Sequence, residues 1–117
     1  MYFVLDFAPN GDLYQYMAKR MILKHHEIQF LAAEILNILR YMHSKKIVHR
    51  DVKFGNILLD ANMHVKMADF GSAKFMNDQD GDKEDFQGTL SYVSPEMIKR
   101  EKTGPACDLW ALGVMMF

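Results

Sequence analysis

From Glu27 to Ser44 the apolar residues Ile28, Leu31, Ile35, Ile38 and Met42 recur at steps of three and four. Ala32 and Leu39 widen the stripe, while Glu34, Asn37 and Arg40 occupy the other side. That period is the signature of an amphipathic helix, and it makes helix the dominant element of whatever the chain builds. Around it the pattern shifts. Tyr2 to Phe7 is an aromatic and β-branched run closed by Pro9-Asn10-Gly11, which reads as a buried strand followed by a turn. Asp12 to Met21 has helical spacing in Leu13, Tyr16 or Met17, and Met21. Asn56 to Asp60 and Met63 to Met67 are two strand-like runs joined by a tight link, the pattern of a hairpin. Residues 76 to 88 form an acidic, Gly-containing loop, after which helical character returns at Pro95 to Arg100 and again from Asp108. The predicted order is strand, helix, long helix, hairpin, long loop, helices: an α+β chain in which helix prevails.

Composition excludes several function classes. With 14 basic and 15 acidic side chains the net charge is −1, without the basic excess of a nucleic-acid binder. The longest apolar stretch, Leu109 to Phe117, falls far short of the ~20 residues a bilayer span needs. The first residues lack the basic start and small-residue cleavage site of a signal peptide. A single cysteine, Cys107, precludes an internal disulfide and fits a reducing compartment, so a cytoplasmic location is expected. A strand that starts with no lead-in and an apolar end without a cap or polar tail suggest part of a longer domain.

Polar residues concentrate in three clusters beside the hairpin: His49-Arg50-Asp51-Val52-Lys53-Phe54-Gly55-Asn56, then Asp69-Phe70-Gly71, then Gly88-Thr89 through Ser94-Pro95-Glu96. Phosphoryl transfer asks for such a set. It needs a carboxylate to orient the attacking hydroxyl and oxygen ligands for a divalent metal. A hairpin opening at Asn56 and followed by Asp69 brings those two side chains to one end, and Asp51 on the entering loop can face the same point.

These residues resemble the catalytic core of the eukaryotic protein kinases: the H-R-D-x-K-x-x-N loop at His49 to Asn56, D-F-G at Asp69 to Gly71, and a variant of A-P-E at Ser94-Pro95-Glu96. Asp108-Leu109-Trp110-Ala111-Leu112-Gly113 is similar to the D-x-W-x-x-G helix that follows. The resemblance implies a kinase-like fold, with residues 1–11 as the last small-lobe strand and the hinge. Residues 12–117 would be the central part of the mainly helical large lobe. It implies ATP and Mg²⁺ as cofactors and a protein serine or threonine hydroxyl as acceptor. Asp51 would accept or orient the hydroxyl proton, Lys53 would stabilise the transferring phosphoryl, and Asn56 and Asp69 would hold metal. Leu5 would be the gatekeeper, the backbones of Asp6 and Ala8 would meet the adenine edge, Asp12 would meet the ribose, and Leu13 and Leu58 would pack near the adenine. Asp108 would brace the catalytic loop, and Glu96 would pair with a later arginine.

Lys53 two residues after Asp51, together with Thr89, is the serine/threonine form. The wider stretches are most similar to the AGC group and, within it, to the 3-phosphoinositide-dependent protein kinases. No G-x-G-x-x-G occurs among the seven glycines, so a fuller form would add the small lobe and the later helices. Phe54-Gly55 stands where relatives have Pro-Glu, which removes a carboxylate they use to hold a substrate arginine. In the activation loop, Asp85 takes the place of the phosphorylated residue, with Arg50 and Lys74 matching the family's phosphate-gripping bases; a carboxylate there would act as a permanent, weaker charge.

Plainer readings apply elsewhere. His49 is expected in the core, while His25, His26, His43 and His64 show no ligand spacing and are expected on the surface. The run Asp78-x-Asp80-Gly81 fails as a calcium loop, since positions one and twelve would be Met76 and Gln87. From another class, a non-catalytic kinase-derived module that binds partners through its surface is the alternative.

Overall fold

The computed structural model describes residues 2, 4–20, 22–76 and 89–117. Among the described residues four α-helices and four short strands follow in the order α1 (Leu13–Arg20), α2 (His25–Ser44), β1 (Ile47–Val48), β2 (Ile57–Leu59), β3 (Val65–Met67), β4 (Lys74–Phe75), α3 (Pro95–Ile98) and α4 (Pro105–Met116). The mixed architecture with helix prevailing is the expected one.

The long helix forms where its periodicity places it and buries Leu31, Ala32, Ile35, Leu39 and Met42. Its first turn is closed by Glu27, whose Oε2 accepts from the Lys24 amide at 2.8 Å, satisfying one of the amides a helix start leaves open. The buried stripe packs with Leu13 of α1, Ile57 and Leu59 of β2, Val65 of β3 and Ala111 and Leu112 of α4 in one cluster. Leu13 therefore belongs to this core, 3% exposed.

β2 and β3 form the expected antiparallel hairpin, registered Ile57↔Met67, Leu58↔Lys66 and Leu59↔Val65. The link runs from Asp60 to His64, whose amide, with that of Asn62, donates to Asp60 Oδ1. These bonds hold the Asp60 carboxyl below its usual range. A second pair, β1 with β4, brings Ile47↔Phe75 and Val48↔Lys74 together. Neither strand has the length to show alternation.

Among the described residues of the Tyr2 to Phe7 run the expected strand is not formed. Tyr2 and Val4 are fully exposed, and Leu5 and Phe7 nearly so. A strand needs a neighbour for its amides and carbonyls. The hairpin edge is taken instead by residues 10–12: Asn10 N–H donates to the Leu59 carbonyl, Leu59 N–H donates to that of Gly11, and Asp12 bridges Leu58. α4 starts at Pro105, ahead of the expected Asp108, because proline suits the first helical position and Gly104 precedes it. α3 ends at Ile98, short of Arg100, which takes a left-handed φ of 56°. The acidic loop over 77–88, Asp85 included, lies outside the described residues.

Glu34 ties the hairpin to α2. Its Oε1 accepts from His64 Nδ1 and its Oε2 from the Val65 amide, both at 2.7 Å. The bond to Glu34, and then its charge, raise the His64 pKa above 6.5. A raised histidine pKa contributes stability that is whole below the unfolded value and is lost as pH rises through the folded one. The melting-temperature gap between wild type and His64→Ala is expected to be widest near pH about 6 and to close above the raised pKa. A gap constant across that range would count against the ion pair.

Candidate active site

The loop before β2 is held from beneath by a buried carboxylate. Asp108, in the first turn of α4 and 1% exposed, accepts from the His49 amide at 3.0 Å and the Arg50 amide at 2.8 Å. Arg50 has a φ of 65°, a left-handed conformation that costs a non-glycine residue about 1–3 kcal/mol and persists only where the surroundings enforce it. The two amide bonds enforce it here. His49 is fully buried: its Nε2 lies 3.1 Å from the Ala68 carbonyl, and its Nδ1 accepts from the Asp51 amide at 3.3 Å. One ring nitrogen donates while the other accepts, which is the neutral imidazole. The core placement expected of His49 is observed.

Above this support the chemistry-bearing side chains meet. Asp51 Oδ2 accepts from Lys53 Nζ at 2.8 Å and from Asn56 Nδ2 at 3.1 Å, and Asp51 Oδ1 accepts from Thr89 Oγ1 at 3.0 Å. Lys53 Nζ also donates to Thr89 Oγ1 at 2.8 Å, closing a triangle. Partial burial pushes the Asp51 carboxyl up, but the bonds from Lys53, Thr89 and Asn56 and the lysine charge outweigh it, so its pKa is lowered. At neutral pH Asp51 is a carboxylate ready to accept a proton or orient a hydroxyl.

Asn56 closes a short turn (Phe54–Asn56) just ahead of β2, and its carbonyl accepts from the Ala68 amide at 2.9 Å. Hairpin pairing thus extends one residue past Ile57↔Met67, and Asp69 follows directly. Asp69 has a φ of 59°, is exposed, and accepts from the Gly71 amide through Oδ1 at 3.3 Å. A Cβ on Gly71 would stand 3.2 Å from that oxygen, tight enough to disturb the turn. Asn56 spends Nδ2 on the Asp51 carbonyl and carboxylate, so Oδ1 is the atom with which it could hold a metal. One amide and one carboxylate oxygen fit Mg²⁺, which binds few protein oxygens and takes the rest from phosphate and water. Among the described residues no group of three or more His, Cys, Asp or Glu gathers to cage a metal unaided.

Arg50 Nε donates to the Ser72 carbonyl at 2.6 Å, and Lys74 lies in β4; both have further partners. Glu96 is the second residue of α3, half-buried. Ser94 stands where the family pattern has alanine; its hydroxyl is buried without a partner, so a methyl would suit the position equally. Asp12 caps α1, accepting from the Gln15 amide at 2.8 Å. Leu58 is half-buried on β2, Asp6 pairs with Lys66 at 2.8 Å, Ala8 is half-buried, and Leu5 is exposed. A cavity of about 250 Å³ between α1, α2 and α4 has an apolar lining that includes Leu31, Ile35 and Met115 and, of the residues expected near the nucleotide, Leu13. His43, expected at the surface, is instead half-buried with Nε2 2.8 Å from Asp108 Oδ2. Its partner is distant in sequence, so no local spacing signals the contact.

The protein kinase domain family matches residues 1–117, and the chain belongs to that family. Among its relatives are serine/threonine-protein kinase ppk21 of Schizosaccharomyces pombe, 44% identical, and serine/threonine-protein kinase PKH2 of Saccharomyces cerevisiae, 40% identical. The 3-phosphoinositide-dependent protein kinase B of Dictyostelium discoideum is also 40% identical. Each alignment covers 100% of this chain but only 22%, 12% and 13% of the respective relative. Among the described residues no helix is long and apolar enough to cross a membrane.

Proposed function

We propose that this chain supplies the hinge (residues 1–11) and the central large lobe (residues 12–117) of a serine/threonine protein kinase that transfers the γ-phosphoryl group of ATP to a protein hydroxyl. The observation that carries the reading is the convergence of Asp51, Lys53, Asn56 and Thr89 within hydrogen-bond distance, with Asp69 one residue past the end of the hairpin pairing. The substrate oxygen attacks the γ-phosphorus, its proton passes to Asp51 Oδ, and ADP leaves with the electron pair of the broken P–O bond. Lys53 places positive charge beside the transferring phosphoryl. Asn56 Oδ1 and the Asp69 carboxylate would hold Mg²⁺, which when bound would neutralise charge on the phosphate oxygens. The backbones of Asp6 and Ala8, with Leu5, Asp12 and Leu58, form the adenosine side of the site. Arg50 and Lys74 serve the activation loop through Asp85, Thr89 and Glu96 the substrate side.

A cytoplasmic setting suits this chemistry and the buried thiol of Cys107, whose pKa burial pushes up, keeping it protonated. The test uses the longest natural polypeptide that carries this sequence. MgATP at a hundred times its Kd is expected to stabilise it by about 2.7 kcal/mol in a thermal shift, and a serine/threonine peptide library is expected to take up γ-phosphate. Asp69→Asn is expected to remove most of the Mg²⁺-dependent part of the shift. A wild type that neither shifts nor transfers would refute the reading and favour a partner-binding module.

A further inference from the structure

The hairpin whose open end presents Asn56 and Asp69 has two faces. Leu59 and Val65, paired in register, are buried in the core, and the next pair, Leu58 and Lys66, turns the other way, because neighbouring positions along a strand alternate. Residues directly across an antiparallel pair share a face, so Lys66 stands beside Leu58, on the side proposed for the adenosine. Its Nζ donates to Asp6 Oδ2 at 2.8 Å, and Asp6 lies 60 positions earlier in the segment proposed as the hinge. The bond lowers the Asp6 pKa and raises that of Lys66, so both are charged at neutral pH. Among the described residues it is the one hydrogen bond that residues 4–7 make. The far end of the hinge is held separately. Asn10 Nδ2 donates to the Asp60 carbonyl at 2.6 Å, which also accepts from the Met63 amide at 3.1 Å, while the Asp60 carboxylate takes the Asn62 and His64 amides.

We infer that Lys66 is a positioning residue for the nucleotide: by binding the Asp6 carboxylate it draws the hinge against the hairpin, so that the backbone meeting the adenine edge keeps one spacing from Leu58 and from the metal end. The inference rests on the kinase reading above. Without the lysine, Asn10 still anchors one end of the hinge while the Asp6 end is released. The size of the effect is bounded by solvent, since the Lys66 side chain is 39% exposed and that of Asp6 85%. An exposed ion pair shifts an equilibrium by up to about fivefold. A hinge in the competent place for only part of the time weakens apparent nucleotide affinity by that fraction and leaves the chemical step alone.

The test measures kcat and KM for MgATP in the longest natural polypeptide that carries the sequence. Lys66→Gln and Asp6→Ala are each expected to raise KM about three- to fivefold, with kcat within about twofold, because only uniform binding is lost. The reversals Lys66→Asp and Asp6→Lys should each raise KM further by setting like charges together. Combined, they should restore most of the wild-type value, which a lysine that merely packs on the hairpin would not allow. Raising salt from about 0.05 to about 0.5 M should narrow the gap between wild type and Lys66→Gln, because an exposed pair is screened. A KM raised by Lys66→Gln but not by Asp6→Ala would mean that the lysine meets the nucleotide itself, and would overturn the inference. So would a combined reversal no better than either alone. A wild type that neither binds MgATP nor transfers phosphate would sink the kinase reading and this role with it, while a double-mutant cycle on unfolding would still show whether Asp6 and Lys66 meet.

Discussion

Asp51→Asn is expected to lower the rate of phosphoryl transfer by about three orders of magnitude, the range that loss of a positioned proton acceptor produces. The two side chains have the same shape, so the loss would be chemical. The amide keeps one acceptor oxygen but puts an NH₂ group where Lys53 and Asn56 now donate, or where Thr89 does. Either orientation sets donor against donor. MgATP affinity is expected to change little, because the proposed nucleotide and metal contacts lie on other residues, and steady-state kcat and KM separate the two effects. Retention of more than about a tenth of wild-type kcat would show that Asp51 is not the acceptor. The acid limb follows from the same contacts. Burial raises the Asp51 pKa, but the bonds from Lys53, Thr89 and Asn56 carry it below 3.8. Ionisation of Asp51 is therefore kept until pH falls beneath the ordinary carboxylate value, and an activity loss nearer neutrality would have another source.

How much of this was legible in the sequence depended on the range of the interaction. The α2 stripe and the hairpin are written in periods of a few residues, and both formed. Asp51, Lys53 and Asn56 stand within one short loop, so the resemblance that marks them as a set could be carried by a local motif. What was not legible has partners far along the chain. Ile47-Val48 pairs with Lys74-Phe75 through two-residue strands that carry no alternation. The Tyr2 to Phe7 run has the composition of a strand, but composition does not supply a neighbour, and residues 10–12 took the hairpin edge. His43 looked like a surface histidine because the residue it serves is 65 positions away. Pro105 was the exception, a local signal for the start of α4 that the Asp108 motif overshadowed.

Asp108→Ala is expected to be the most damaging substitution outside the chemistry. It strips the acceptor from the His49 amide, the Arg50 amide and His43 Nε2 together. Each buried donor left unpaired costs about 1–3 kcal/mol. Because the groups relax jointly, a total of roughly 3–5 kcal/mol is expected, the scale for breaking a buried charged contact. Asp108→Asn should fall between, since one oxygen still serves Arg50 while the amide opposes His49. Denaturant unfolding of the full natural polypeptide measures both. The informative control is Leu39→Ala, at a fully buried position of the α2 stripe, where the cavity costs a similar 2–5 kcal/mol or so. The two variants should be comparably unstable and yet differ in function. Molecules of Leu39→Ala that remain folded keep Arg50 restrained and should transfer phosphate normally. Those of Asp108→Ala have lost the restraint and should be slow even when folded. Equal kcat per folded molecule would mean that the buried carboxylate only stabilises the fold; a deficit confined to Asp108→Ala would mean that it also aims Asp51.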